Sequence, residues 1–255
     1  MAEPVLVERR DVIAVVTLNM PQKRNALSAE LFQALPRVLA ELQRDNRLRA
    51  LVLTGGRHFC SGGDLGGLDA SALTIRSAMQ EGQMSVRALC GGPLPVVAAV
   101  EGNAYGAGFS IALACDLIVA DEDTRFCASF TRVGLMPDYG VLWTLPQRVG
   151  IGRAREILML GEPISATQGA QWGLVDRLSD KGQVLPTAVA LAERLAEGAP
   201  ATIATTKSVL SRWPLGLDPT LAWEADTQAL LLGSEDFKEG VSAFREKRAA
   251  RFSGR

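Results

Sequence analysis

The chain has 255 residues, with 27 Lys+Arg against 28 Asp+Glu for a formal net charge of −1, which argues against a nucleic-acid protein. At 47% hydrophobic and 22% charged residues the composition is globular, and a chain this long can bury roughly three quarters of its unfolded surface without a disulfide or metal staple. His58 is the single histidine, which excludes metal sites built on several histidines and leaves acid–base chemistry to carboxylates.

In chain order, MAEPVLVERRD lacks the apolar core of a signal peptide. Residues 12–19 (VIAVVTLN) predict a buried strand, and MPQKRNAL a loop. Ser28 is an N-cap candidate for a helix reaching about Asp45, with Leu31, Leu35, Val38, Leu39 and Leu42 on one face and a kink expected at Pro36. A strand at 50–54 leads into the glycine-rich stretch GGRHFCSGGDLGGL, then a helix over 72–90. A strand at 95–100 meets a second glycine turn, EGNAYGAG, which opens a small-residue helix at 107–114. Strands follow at 116–120 and 125–128, and from Gly150 onward the pattern is helical. The apolar run 111–120 is cut by Asp116 and falls short of the roughly 18 residues of a membrane span.

Cys60, Cys90, Cys115 and Cys127 form no C-x-x-C pair, which points to a reducing compartment, and the buried ones read as small core residues. Neither glycine loop is a nucleotide fingerprint: Ile111 stands where G-x-G-x-x-G needs its last glycine. Two uses remain open. The glycines either make tight turns only, or they present backbone N–H groups, that of Ala107 at a helix start and one from 61–64, to an oxyanion.

FCSGGDL (59–65), AAVEGNAYGAGFSIALACDLIVA (98–120) and FTRVGLMPDYGVLWTLPQRVG (130–150) resemble, in order, the motifs of the enoyl-CoA hydratase/isomerase, or crotonase, family. The resemblance runs from PQKRNAL to DFKEGVSAFREKR and covers nearly the whole chain. It implies an α/β fold: a crotonase-type β-spiral of repeated ββα units over residues 1–195, with a C-terminal helical trimerisation region over 196–255. It implies an acyl-CoA thioester whose carbonyl oxygen is held by the N–H groups of Gly63 and Ala107. Ser61, Asp64, Leu65 and Gly66 would lie along the CoA, Arg24, Asn25 and Ala26 at its nucleotide end, and Phe244 and Lys247 at a neighbouring subunit's CoA. CoA belongs to the substrate; no further cofactor, metal, nucleic acid or membrane is implied. The expected protein is a cytoplasmic homotrimer or dimer of trimers.

Hydratases of that family carry two glutamates, at places that here hold Ser110 and Phe130. Asp138, in LMPDYG, resembles the single catalytic acid of the 3-enoyl-CoA isomerases and of the phenylacetate-pathway ring-epoxide isomerase. The reading is therefore an acyl-CoA isomerase with Asp138 as acid–base, in an apolar pocket with Met136, Tyr139 and Leu142. The alternatives are an enoyl-CoA hydratase and a non-catalytic CoA-ester-binding homologue. His58, Arg148, Arg153 and Arg155 read as loop, solvated or interfacial groups, and Asp116 as a structural hydrogen-bonder.

Overall fold

The computed structural model describes residues 3–64, 66 and 71–255. Strand β1 (Val5–Arg10) pairs antiparallel with β2 (Ile13–Leu18), Val7 opposite Val16. Sequence patterning passes over β1 because it is an edge strand, with one buried residue and a charged end. β2, β3 (Ala50–Thr54) and β4 (Val96–Val100) are parallel and almost wholly buried. Both faces are covered, so their sequences are continuous apolar runs rather than alternating ones.

Two helices cover one face. α1 (Ala29–Leu42) connects β2 to β3, and α2 (Ala72–Gly91) connects β3 to β4. Leu31, Leu35 and Leu39 of α1 pack with Val16, Leu51, Leu53 and Ala98. Ser28 stands at the N-cap of α1 in extended backbone but makes no capping bond, and the helix runs through the buried Pro36.

The chain then winds as repeated strand–strand–helix turns, each giving one strand to each of two sheets. β4 and β5 (Asn103–Tyr105) precede α3 (Ala107–Ala114). β6 (Leu117–Asp121) and β7 (Arg125–Cys127) precede a 3-10 turn, Ser129–Val133, and α4 (Val141–Leu160). β8 (Ile164–Ser165), α5 (Ala166–Trp172) and β9 (Arg177–Ser179) complete the spiral. Among the described residues one sheet has the order β1-β2-β3-β4-β6-β9 and the other β5-β7-β8. α3 is buried on every side, which its small residues permit. α4 begins at Val141, nine residues before the helical patterning becomes clear, because Gly150 (φ 75°) breaks its middle.

α6 (Val184–Ala196) closes the other sheet face, with Ala188 and Ala192 against Ile13, Val15, Val52, Val97 and Val119. α7 (Pro200–Leu210), α8 (Leu217–Leu232) and α9 (Glu235–Glu246) follow, α9 capped by Ser234, whose Oγ accepts from Phe237 N. None of the described helices is long and apolar enough to cross a membrane.

A buried ion pair ties α7 to the spiral. Lys207, 6% exposed, donates from Nζ to Asp116 Oδ2 (2.6 Å) and to Leu94 O (2.8 Å). The same carboxylate accepts from Val96 N at 2.7 Å. Arg148 is not a solvated group: it donates to Asp176 Oδ2 (2.9 Å) and to the carbonyls of Cys115 and Asp116, an anchor that only the assembled spiral reveals. Lys207→Met would leave Asp116 without its cation. The expected cost is about 2–3 kcal/mol, since the carboxylate keeps some solvent contact. A thermal melt should drop by roughly 5–10 °C.

Candidate active site

Two glycine turns meet, and each is followed by a backbone N–H that has no acceptor among the described residues. In the first loop, Leu27 N donates to Gly62 O (2.8 Å), Asp64 N to Leu27 O (3.4 Å) and Ser61 N to Arg24 O (3.0 Å). The first two bonds pair Leu27 with Gly63 as a parallel bridge, and in that pattern the bridged residue's own N–H, that of Gly63, is turned away from Leu27. It meets no acceptor among the described residues. In the second turn, Gly106 N donates to Cys127 O (2.8 Å), while the next N–H, that of Ala107, opens α3. It has no preceding turn to bond to and no other acceptor among the described residues.

The loops are zipped together by Cys60 N donating to Asn103 O and Tyr105 N donating to Cys60 O, both at 3.0 Å. Gly62 (φ 105°) and Gly106 (φ 51°, ψ −122°) stand back to back: a Cβ on either would come within 3.8 Å of the other's Cα. Both φ values lie where only glycine is at ease, and they aim the peptides that follow. Unpaired N–H groups that follow such turns suit a developing oxyanion.

Asp138 is reached from the second turn. Ser129 Oγ lies 3.5 Å from where a Cβ on Gly106 would stand, and the chain runs from there through the 3-10 turn to Asp138, just before α4. Asp138 is half-buried, and its Oδ1 is enclosed without a hydrogen-bond partner among the described residues. Burial pushes its carboxyl up to about 6, opposed only by its own backbone N–H. The apolar wall expected from three side chains comes from one. Tyr139 is buried, but Met136 and Leu142 are 73% and 47% exposed on this chain, because the loop turns inward only at Tyr139.

Ser110 and Phe130 are both buried; Ser110 Oγ donates to Gly106 O at 3.3 Å, and Phe130 packs in the main core. Asp64 is paired with Lys23 (2.8 Å), which holds its carboxyl below the usual range. His58 is half-buried with an unpartnered Nδ1; burial first, then Arg24 and Arg57, lower its pKa. The Cys60 thiol is pushed up to about 12 by burial and is inert.

Of the residues singled out by sequence, Arg24, Ala26, Ser61, Gly63 and Asp64 come together. Ser61 Oγ donates to Lys23 O (3.2 Å), and Gly66 N donates to Asp64 Oδ1 (3.2 Å). Asn25 is the clamp: its Nδ2 donates to Gly55 O (2.8 Å) and His58 O (2.7 Å), and its Oδ1 accepts from Met20 N (2.8 Å). Leu65 lies outside the described residues. Phe244, 86% exposed, and Lys247 sit at the end of α9, which packs on α8.

The family model described as enoyl-CoA hydratase/isomerase matches residues 8–255. The chain belongs to the enoyl-CoA hydratase/isomerase family. Within that family it is 41% identical to a "Probable enoyl-CoA hydratase" of Rhodobacter capsulatus over 250 residues, 95% of each chain. It is 35% identical over the full length of both chains to the 1,2-epoxyphenylacetyl-CoA isomerase of Escherichia coli K12. The crystal structure of an enoyl-CoA hydratase from Polaromonas sp. JS666 superposes with a TM-score of 0.92 at 33% identity, covering 98% of this chain and 99% of that one. The spiral of strand–strand–helix turns is thus the crotonase fold.

Proposed function

We propose that this member of the family is an acyl-CoA isomerase that moves a proton, and no water, through a thioester enolate. The observation that carries the reading is the unpaired, desolvated carboxyl of Asp138, with Ser110 and Phe130 at the two places of the hydratase glutamates. Hydration needs one group to activate water and another to protonate carbon, and neither a serine nor a phenylalanine is suited to either task.

In a 3-enoyl-CoA, Asp138 takes a proton from the carbon beside the thioester. The electron pair moves onto the carbonyl oxygen, held by the N–H groups of Gly63 and Ala107. The enolate collapses with the double bond shifted toward the thioester, and the carboxylic acid returns its proton to the far carbon. The likeness to an isomerase over the full chain supports this reading. The hydratase-named relatives make hydration the competing outcome.

The test is a paired assay on the pure protein. A 3-enoyl-CoA should rearrange, and a 2-enoyl-CoA in water should yield little 3-hydroxyacyl-CoA; rapid hydration would overturn the reading. Because Asp138 must be ionised to act as base, kcat/KM for isomerisation is expected to climb through about pH 6 and level off above it.

The same reading takes the enzyme as a homotrimer or dimer of trimers. α8 buries no residue within the chain and leaves Leu217, Leu221 and Leu230 exposed. Phe244 and Lys247 would reach a neighbour's CoA.

A further inference from the structure

α2 meets the Asp138 turn with a gap in its side chains. Gly82, in the middle of α2, is buried, and a Cβ there would lie 2.3 Å from Tyr139 Oη and 2.6 Å from the Phe32 ring. One helical turn later, Val86 reaches the same segment: a Cβ on Gly140 would lie 3.1 Å from Val86 Cγ1. Residues four apart share one helix face, so Gly82 and Val86 form a shelf beneath Tyr139 and Gly140. A glycine inside a helix costs about 1 kcal/mol relative to alanine. At position 82 that cost makes room for the Tyr139 ring, which fills the slot edge-on to Phe32 (centroids 6.3 Å apart, planes at 83°).

The backbone gives this contact its leverage. Tyr139 has φ 51°, rare for a bulky residue, and Gly140 follows at φ 78° as the N-cap of α4. Two left-handed residues in succession turn the chain directly after Asp138. Such a conformation persists only where packing over-determines it, and here the packing is the ring in its slot. The enclosed Asp138 Oδ1 has no hydrogen-bond partner among the described residues, and the carboxyl's one hydrogen bond comes from its own backbone N–H, so the main chain directs it.

We infer that Gly82 and Tyr139 are positioning residues for Asp138: the ring, seated against the α2 shelf, fixes the turn that carries the carboxyl and so its direction. This rests on the acid–base role proposed for Asp138. Burial is the one influence raising the Asp138 carboxyl, and neither α1 nor α2 adds a charge to it. Burial first, and then the nearby Asp138 and Cys60, raise the Tyr139 phenol and keep it neutral.

The experiment is Gly82→Ala, whose Cβ strikes the Tyr139 hydroxyl. Expected are a kcat at least 10-fold lower, a KM and CoA-ester affinity within about 3-fold, and a melting temperature within a few degrees of the parent. The carboxyl titration of Asp138, followed by 13C NMR on carboxyl-labelled aspartate and assigned by the signal lost in D138N, should fall from about 6 toward the ordinary range. A merely structural role for Gly82 would move the melting temperature and leave that titration alone. Adding Tyr139→Phe removes the nearest atom struck but leaves the Phe32 ring at 2.6 Å, so G82A/Y139F should recover part of the lost rate. If G82A does not fold, Tyr139→Leu empties the slot and should give the same loss of kcat with the same fall in titration. Unchanged kcat and titration in G82A, or a loss confined to KM, would each overturn the inference. Full isomerisation by D138N, with G82A still moving the titration, would remove the acid–base reading and leave the positioning intact.

Discussion

Replacing Asp138 by Asn is expected to lower isomerisation by about 100- to 10,000-fold, the usual worth of a positioned acid–base group, while CoA-ester affinity stays within a few-fold. The same substitution should make the protein more stable. The folded carboxyl sits at about 6, above its ordinary value of 3.8, so the unfolded chain gives up this proton more readily than the folded one. The ionised form therefore costs the folded state stability, and the cost opens between about pH 4 and 6 and is constant above. Asparagine has no such cost. Discounted for the partial solvent contact of Asp138, D138N should gain on the order of 1–2 kcal/mol at pH 8 and little at pH 4. Thermal melts of both proteins across that range check the sign. A destabilised D138N at pH 8 would mean that the carboxylate holds the turn together rather than serving chemistry.

Gly106→Ala is expected to cost about 100- to 1000-fold in kcat/KM, the usual worth of one oxyanion donor. The reason is torsional, not steric. The nearest atom to a new Cβ would be Ser129 Oγ at 3.5 Å, an ordinary contact. The backbone at φ 51°, ψ −122° is closed to an L side chain, so the peptide must rotate and take the Ala107 N–H with it. The strain itself costs on the order of 1–3 kcal/mol. Steady-state kinetics with a melting curve separate the effects: a large rate loss in a folded G106A supports the donor role, and an unchanged rate would remove Ala107 from it.

The parallel strands of the central sheet are legible in the sequence because they are buried on both faces and their apolar runs are bounded by turns. β1 and β9 are not, since each lies at a sheet edge where little of it is buried. β5 and β8 are only three and two residues long, and β5 hides inside the glycine-rich stretch whose turn it feeds, whereas the equally short β7 lies within the strand read at 125–128. Asp138 and the Gly63 and Ala107 positions are legible through motif resemblance, since spacing alone leaves a tight turn equally open. The slot for Tyr139 leaves one trace, a glycine in mid-helix at position 82, but its partner lies 57 positions further along the chain and only folding brings them together. The Lys207–Asp116 pair and the Arg148 anchor are equally non-local, so residues that look solvated by composition turn out to be interior.

In the proposed reaction one carboxylate moves a proton within the substrate and no water is added. The most direct measurement is a proton NMR time course of a 3-enoyl-CoA in D2O with the parent protein and with D138N side by side. Expected of this reaction are a 2-enoyl-CoA product with the parent, no 3-hydroxyacyl-CoA beyond trace, and conversion slowed by about 100-fold or more with D138N. Accumulation of the 3-hydroxyacyl-CoA, or a D138N that moves the double bond as fast as the parent, would contradict it.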